Sequence, residues 1–224
     1  MSTGHTIKAF DEELVQLRRE VTDLGRTVRD ELAQALEVLA TANRTKASAV
    51  IELDGRADEL ERDVQARVMR ILARYQPVAN DLREVIAAER LAANLERVGD
   101  HAKSIAKRVI RLGDDGWLED AQPVLRFGGE VRELLAKSLE AFTERDLGLA
   151  TEAWHGDVDI DESYDDVFHR LIVGMQDGRL AVAVGTQLLF AAKSLERIGD
   201  HATNVAEEVR FVLTGQNLDR HLDS

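Results

Sequence analysis

Cysteine is absent from the 224 residues, which excludes a disulfide, a thiolate metal site and a cysteine nucleophile and suits a reducing compartment. Proline occurs twice and aromatics make up 4%, too little turn and ring chemistry for a sheet protein; the wealth of Ala, Leu, Val, Glu and Arg favours helix. No run approaches the roughly eighteen uncharged apolar residues that would span a membrane. The polar start MSTGHTIKAFDEEL carries no apolar core of the kind a signal peptide needs. Basic residues are outnumbered, 29 against 42 acidic, for a net charge of −13, and they are dispersed without interleaved aromatics. Such a surface opposes nucleic acid and anionic lipid and suits cations or a basic partner. There is also no phosphate-cradling P-loop, no nucleophile elbow and no glycine-rich turn opening a helix, so the chain is not expected to be an enzyme.

What is present is a repeat. LERVGDHA, Leu95 to Ala102, returns as LERIGDHA, Leu195 to Ala202, and ten of the eighteen positions between 92 and 109 match those between 192 and 209. The conserved pairs include Glu96/Glu196, Arg97/Arg197, Gly99/Gly199, Asp100/Asp200 and His101/His201. The duplication extends further back at an offset of 103: Val28, Leu32 and Leu36 correspond to Val131, Leu135 and Leu139, and Asp54 and Asp58 to Asp157 and Asp161. The change of offset to 100 puts a three-residue length difference in the second connection of each half.

Apolar residues three and four apart define the helices. Phe10, Leu14, Leu17, Val21, Leu24, Val28, Leu32 and Leu39 form one stripe; Val50, Leu53, Ala57, Leu60, Val64, Val68 and Ile71 form a second, ended by Gln76-Pro77 because proline cannot continue the ladder. A third runs from Leu82 to Leu112, before the loop Gly113-Asp114-Asp115-Gly116. The second half repeats the plan over about 120–144, 147–175 and 180–213. The expected fold is all-α, with six helices in two tandem three-helix bundles related by a pseudo-twofold: residues 1–113, a linker at 114–117, and residues 118–224.

Polarity marks the candidate site. On a helical wheel Glu96 and Asp100 share a face well away from the stripe of Leu95, Val98, Ala102, Ile105 and Val109. Asp54 and Asp100 lie equally far from Pro77, and so do Asp58 and Glu96, which in an antiparallel hairpin means equal height. Asp157 with Asp200, and Asp161 with Glu196, are likewise centred on the Asp177-Gly178 turn. Each half thus presents four level carboxylates, which repel unless protonated or bridged by cations. All-oxygen ligands suit hard ions such as Mg, Mn, Ca or ferric iron. Spacing does not decide whether the pairs join within a half or across the two. Arg97 and Arg197 read as charge balance, and His101 and His201, about 100° round the helix, as hydrogen-bonding or interface residues, with metal ligation as the alternative. Gly99 and Gly199, each costing about 1 kcal/mol relative to Ala inside a helix, suggest close helix approach or access to the acidic face. Glu152-x-x-His155 matches half of a di-iron signature, but its first-half counterpart, Ala49 to Glu52, has no histidine, and such sites need two motifs.

The segment Gln76-Pro77-Val78-Ala79-Asn80-Asp81-Leu82-Arg83 with the first LER-x-GDHA, and the second copy extended through Thr203-Asn204-Val205-Ala206-Glu207, resembles the PhoU family of phosphate-signalling regulators. The likeness runs from about residue 7 to 215. It implies a cytoplasmic protein, peripheral to the inner membrane only through its partners, that works with the ATPase subunit of a phosphate ABC transporter and a sensor histidine kinase to repress phosphate-starvation genes. It implies metal binding through Asp54, Asp58, Glu96 and Asp100, then Asp157, Asp161, Glu196 and Asp200, with Arg97, His101, Arg197, His201 and Asn204 as accessory or interface residues. The ions it implies are divalent or ferric (Mg, Mn or Fe, with Zn and Ca as further candidates). It also implies a homodimer. The rival from another class is a carboxylate-bridged metal-binding or metalloenzyme bundle.

Overall fold

The computed structural model describes the backbone of residues 3–53, 55–113 and 116–216, and among them every regular element is a helix. These are α1 (Thr3–Thr41), α2 (Arg44–Leu53), α3 (Gly55–Tyr75), α4 (Ala79–Leu112), α5 (Gln122–Glu144), α6 (Leu147–Gln176) and α7 (Val182–Thr214). Helices α2 and α3 together occupy the place that α6 alone takes in the second half, and Arg44 and Leu147, the first residues of α2 and α6, stand at the same offset of 103. The six-helix duplicated plan is therefore the one observed. The stripe read along α1 is the buried one: Leu14, Leu17, Val21, Leu24, Val28, Leu32 and Leu39 are all in the core.

The connections are short and chemically legible. Tyr75 ends α3, Gln76 turns in the left-handed region at φ 48°, and Pro77 and Val78 lead directly into α4. Arg145, at φ 54°, closes α5, and the Asp146 carboxylate caps α6 by accepting the Leu149 N–H at 3.0 Å, filling one of the donors a helix start leaves open. Between α6 and α7 the chain turns at Gly178, φ 70°. The second hairpin has a longer connection than the first, but the stretches from Asp161 to the end of α6 and from the start of α7 to Glu196 are both shorter than those from Asp58 to the end of α3 and from the start of α4 to Glu96, so the register survives. Asp114 and Asp115, in the expected linker, lie outside the described residues; Trp117, which follows, is buried.

Helices α1 to α4 pack on one another, as do α5 to α7, and the halves join through α4 on α7 and α1 on α5. One apolar core runs through both. The α4–α7 packing is antiparallel: Arg90, early in α4, pairs with Glu208, late in α7, at 3.4 Å, while Arg108, late in α4, lies over the ring of Phe190, early in α7, at 4.7 Å. Shifting the first pair by 100 residues gives the second, so the two contacts are exchanged by a pseudo-twofold. The second seam obeys the same symmetry. A Cβ built on Gly25 would fall 2.6 Å from Leu139 Cδ2, and one on Gly128 would fall 2.3 Å from Leu36 Cδ2; these pairs interchange at the offset of 103. Each glycine is a hole that admits a leucine from the other half.

Filling one hole tests the seam. Gly128→Val is expected to destabilise by about 1–3 kcal/mol through overpacking, less so in a Leu36→Ala background. The adjacent Gly129, whose added Cβ would meet nothing within 4 Å, should tolerate Ala with a gain of up to about 1 kcal/mol. Urea unfolding of the four variants measures both.

Candidate functional site

Of the acids that the structure describes on the two hairpins, Asp161 is exposed and Asp58, Glu96, Asp100, Asp157, Glu196 and Asp200 are half-buried. In the second half Asp161 of α6 and Glu196 and Asp200 of α7 each offer a carboxylate oxygen, all within 4.8 Å of one another. Asp157, one turn before Asp161, accepts a hydrogen bond from the Thr203 hydroxyl at 3.2 Å and adds its charge to those of Asp161 and Asp200. The four acids matched by hairpin arithmetic thus share one neighbourhood. Burial, then Glu196, Asp157 and Asp161, push the Asp200 carboxyl up to about 6, with Lys193 opposing. Asp161, although exposed, is also raised, by desolvation and then by Asp157 and Glu196.

The first half holds its acids differently. Asp54 lies outside the described residues. Burial, then Asp100, raise Glu96 to about 7, with Arg97 opposing and Glu61 adding to the rise. Arg97, exposed, sits 3.4 Å from both Glu96 and Asp100. Asp58 adds its charge to that of Glu61. Among the described residues, three carboxylates converge closely enough to share an ion only in the second half.

The glycines of the repeated motif are where a neighbour comes close. A Cβ on Gly199 would lie 2.7 Å from Ile160 Cγ2, and one on Gly99 would lie 2.8 Å from Glu31 Oε2 and 3.5 Å from the Ala57 Cβ. Ala57 and Ile160 are equivalent positions, as are Glu31 and Leu134. The smaller Ala57 leaves room for the carboxylate of Glu31, buried at 5% exposure, whereas Ile160 fills that space in the second half.

His101 and His201 meet across the α4–α7 seam, stacked with centroids 5.8 Å apart and planes at 24°, close to the pseudo-twofold. Asn94 Oδ1 accepts from His201 Nδ1 at 3.0 Å and from Asn204 Nδ2 at 3.2 Å. Burial lowers both imidazoles. His201 falls to about 4 under the further influence of His101, Arg97 and Arg197; for His101 the next contributor is Arg197. Glu152 and His155 do not converge: Glu152 pairs with Lys137 of α5 at 3.3 Å, and His155 lies edge-on to Trp154.

The residues that spacing alone passed over are Glu61, Tyr164 and Lys193. Glu61 and Tyr164 stand three residues after Asp58 and Asp161, and Lys193 three before Glu196, so each shares a helix face with the acids. Lys193 and Tyr164 are not carboxylates, and Glu61 has no acidic counterpart in the second half, so the repeat marks none of the three.

The PhoU domain model matches residues 21–109 and again 124–209. The phosphate-specific transport system accessory protein PhoU homolog of Caulobacter vibrioides is 39% identical over 217 residues, covering 96% of this chain and 94% of that protein. The crystal structure of PhoU from Pseudomonas aeruginosa superposes with a TM-score of 0.86 at 33% identity, covering 92% of this chain and 100% of that one. The phosphate transport system regulatory protein PhoU from Streptococcus pneumoniae gives 0.87 at 30% identity, covering 94% and 99%.

The raised acids and lowered imidazoles set a pH profile. Glu96 at about 7 and Asp200 at about 6 lie above their ordinary values of 4.5 and 3.8, so the stability they contribute is full at low pH and lost as pH rises through that range. His101 and His201, held below 6.5, act in reverse: their contribution is full above that value and lost as pH falls. The two effects oppose each other over overlapping pH ranges, so the stability of metal-free protein is expected to change little between about pH 5 and pH 8. Thermal melts in chelator measure this, and Glu96→Gln/Asp200→Asn, which leaves only the histidine contribution, should gain stability relative to wild type as the pH rises.

Proposed function

The chain belongs to the PhoU family, and from that premise we propose that it is a non-enzymatic regulator of phosphate homeostasis, working as a cytoplasmic adaptor. In this role it links the ATPase subunit of a phosphate ABC transporter to a sensor histidine kinase and keeps phosphate-starvation genes repressed when phosphate is plentiful. The observation that carries the reading is full-length likeness, over 96% of the chain, to an accessory protein of phosphate-specific transport. The absence of any helix long and apolar enough to cross a membrane, among the described residues, fits a protein that reaches the membrane through partners. A homodimer is part of the proposal.

The acidic platforms are its metal-binding parts. Asp157, Asp161, Glu196 and Asp200 would hold ions in the second half, and Asp54, Asp58, Glu96 and Asp100 in the first. The residues fit such a group: three carboxylate oxygens within 4.8 Å form an all-oxygen donor set suited to Mg, Mn or Fe, with Zn and Ca less well matched in softness or in ligand number. A bound cation would cancel the repulsion that raises Asp200 and give a partner a fixed patch of altered charge. The rival metalloenzyme reading needs paired Glu-x-x-His motifs, and here Glu152 and His155 are engaged apart.

Two measurements test the proposal. Deleting the gene in its own bacterium should switch starvation genes on in high phosphate, and reintroducing the wild type should silence them; full repression in the deletion strain would refute the regulatory role. Protein purified without chelator should carry less metal by elemental analysis when Asp161→Asn, Glu196→Gln and Asp200→Asn are combined. Equal metal in both forms would remove these ligands from the assignment.

A further inference from the structure

The two platforms descend from one sequence but are not chemically equivalent, and the difference lies beside the carboxylates. Lys193 Nζ donates to Glu196 Oε1 at 2.6 Å and rests 5.1 Å from the centre of the Tyr164 ring, within cation–π range. Its charge also acts on Asp161 and Asp200. The equivalent of Lys193 in the first half is Ala93, and that of Tyr164 is Glu61. The exchange is paired. Where the second half has an ammonium seated on an aromatic face, the first has a methyl group and a further carboxylate, and that carboxylate acts on Glu96. The first half's own cation, Arg97, is more exposed and sits at 3.4 Å. Its counterpart Arg197 lies where its charge reaches His101 and His201.

We infer that Lys193 is a resident counter-ion of the second platform that competes with a metal ion for Glu196, making the two halves unequal in cation affinity. The inference rests on the metal reading above and concerns how the second site is regulated. A dication bound among Asp161, Glu196 and Asp200 would share the Glu196 carboxylate with the ammonium that holds it at 2.6 Å and would be repelled across it, because like charges a few ångströms apart interact appreciably even at a protein surface. Loading therefore requires the lysine stem to swing off Glu196. Tyr164, uncharged and aromatic, gives the ammonium a seat that Glu61 could not give without adding a carboxylate to the site. The second platform is thus neutralised in part before any ion arrives. The first has the carboxylate of Glu61 in place of Tyr164 and no ammonium at the position of Lys193.

The test isolates the second half by silencing the first with Asp58→Asn/Glu96→Gln/Asp100→Asn, in the full-length chain stripped of metal, with Mn²⁺ as the probe. In this background Lys193→Met, which keeps an unbranched stem for the Tyr164 ring, is expected to tighten Mn²⁺ binding at least tenfold by calorimetry, while Lys193→Arg keeps the weaker affinity. In the wild-type chain, acylation of Lys193 by an amine-directed reagent, read by peptide mass spectrometry, should rise when Mn²⁺ is added, because the ammonium leaves Glu196. Equal Mn²⁺ affinity in Lys193→Met and its parent, or acylation indifferent to Mn²⁺, would overturn the competition while leaving the metal site standing. No Mn²⁺ bound by any form would overturn the metal reading and this inference with it. Far-UV circular dichroism and the melting temperature of each variant establish that a folded chain is being titrated.

Discussion

The antiparallel packing of α4 on α7 is the constraint on which the rest of the molecule depends. Both helices bury one stripe in a common core, so their rotation is fixed, and with it the direction in which the motif's acids point. Because Arg90–Glu208 and Phe190–Arg108 are exchanged by the pseudo-twofold, the same rotation is imposed on both copies. His101 and His201 stack where the two helices cross. There the duplicated motif meets itself, which explains why a polar, half-buried ring is found in both copies when neither touches the outer face of the other. The Gly25–Leu139 and Gly128–Leu36 fits do for α1 and α5 what the histidines do for α4 and α7: they permit one register of the two halves and obstruct others by steric overlap.

Given that scaffold, the acidic platforms are held together against their own repulsion. Carboxylates on flexible loops would separate; carboxylates on packed helices cannot, so burial and, after it, this repulsion raise the protonation of Glu96 and Asp200. An external cation is one way to relieve it. The chain uses internal relief as well, and does so differently in each half: Arg97 in the first, Lys193 over Tyr164 in the second. Neither cation is deeply buried, so neither pairing is strong enough to be a permanent lock.

The fold was legible because its signals are additive along long elements. An apolar stripe of eight residues in α1, a proline after Tyr75 and a glycine after Asp177 leave little choice of helix boundary. The level placement of Asp161 with Glu196 was legible for a related reason: in a hairpin of two packed helices, height depends only on distance from the turn. In the first half Asp58 acts on Glu61 and Glu61 on Glu96, and Glu61 is a carboxylate that this arithmetic did not include. What could not be read was the identity of neighbours from a third element. Glu31 reaches the motif from α1 and lies against Gly99, and no periodicity within α3 or α4 announces it. The glycine itself was the only sign, marking that something comes close without saying what.

The divergence of the two copies follows from the need to exchange residues in matched sets. Replacing Leu134 by its counterpart Glu31 without shrinking Ile160 to Ala57 would drive a carboxylate into a methyl group under the motif glycine. Adding Lys193 without replacing Glu61 by Tyr164 would hold the ammonium between two glutamates and remove its aromatic seat. Each exchange makes sense only as a pair, and both pairs alter charge at the same place, raising it in one half and lowering it in the other. The apolar stripes, the glycine holes and the stacked histidines, which position the platforms, are meanwhile kept in both. The duplication has therefore preserved the geometry that presents the acids and varied the chemistry that sets how strongly each platform calls for a cation.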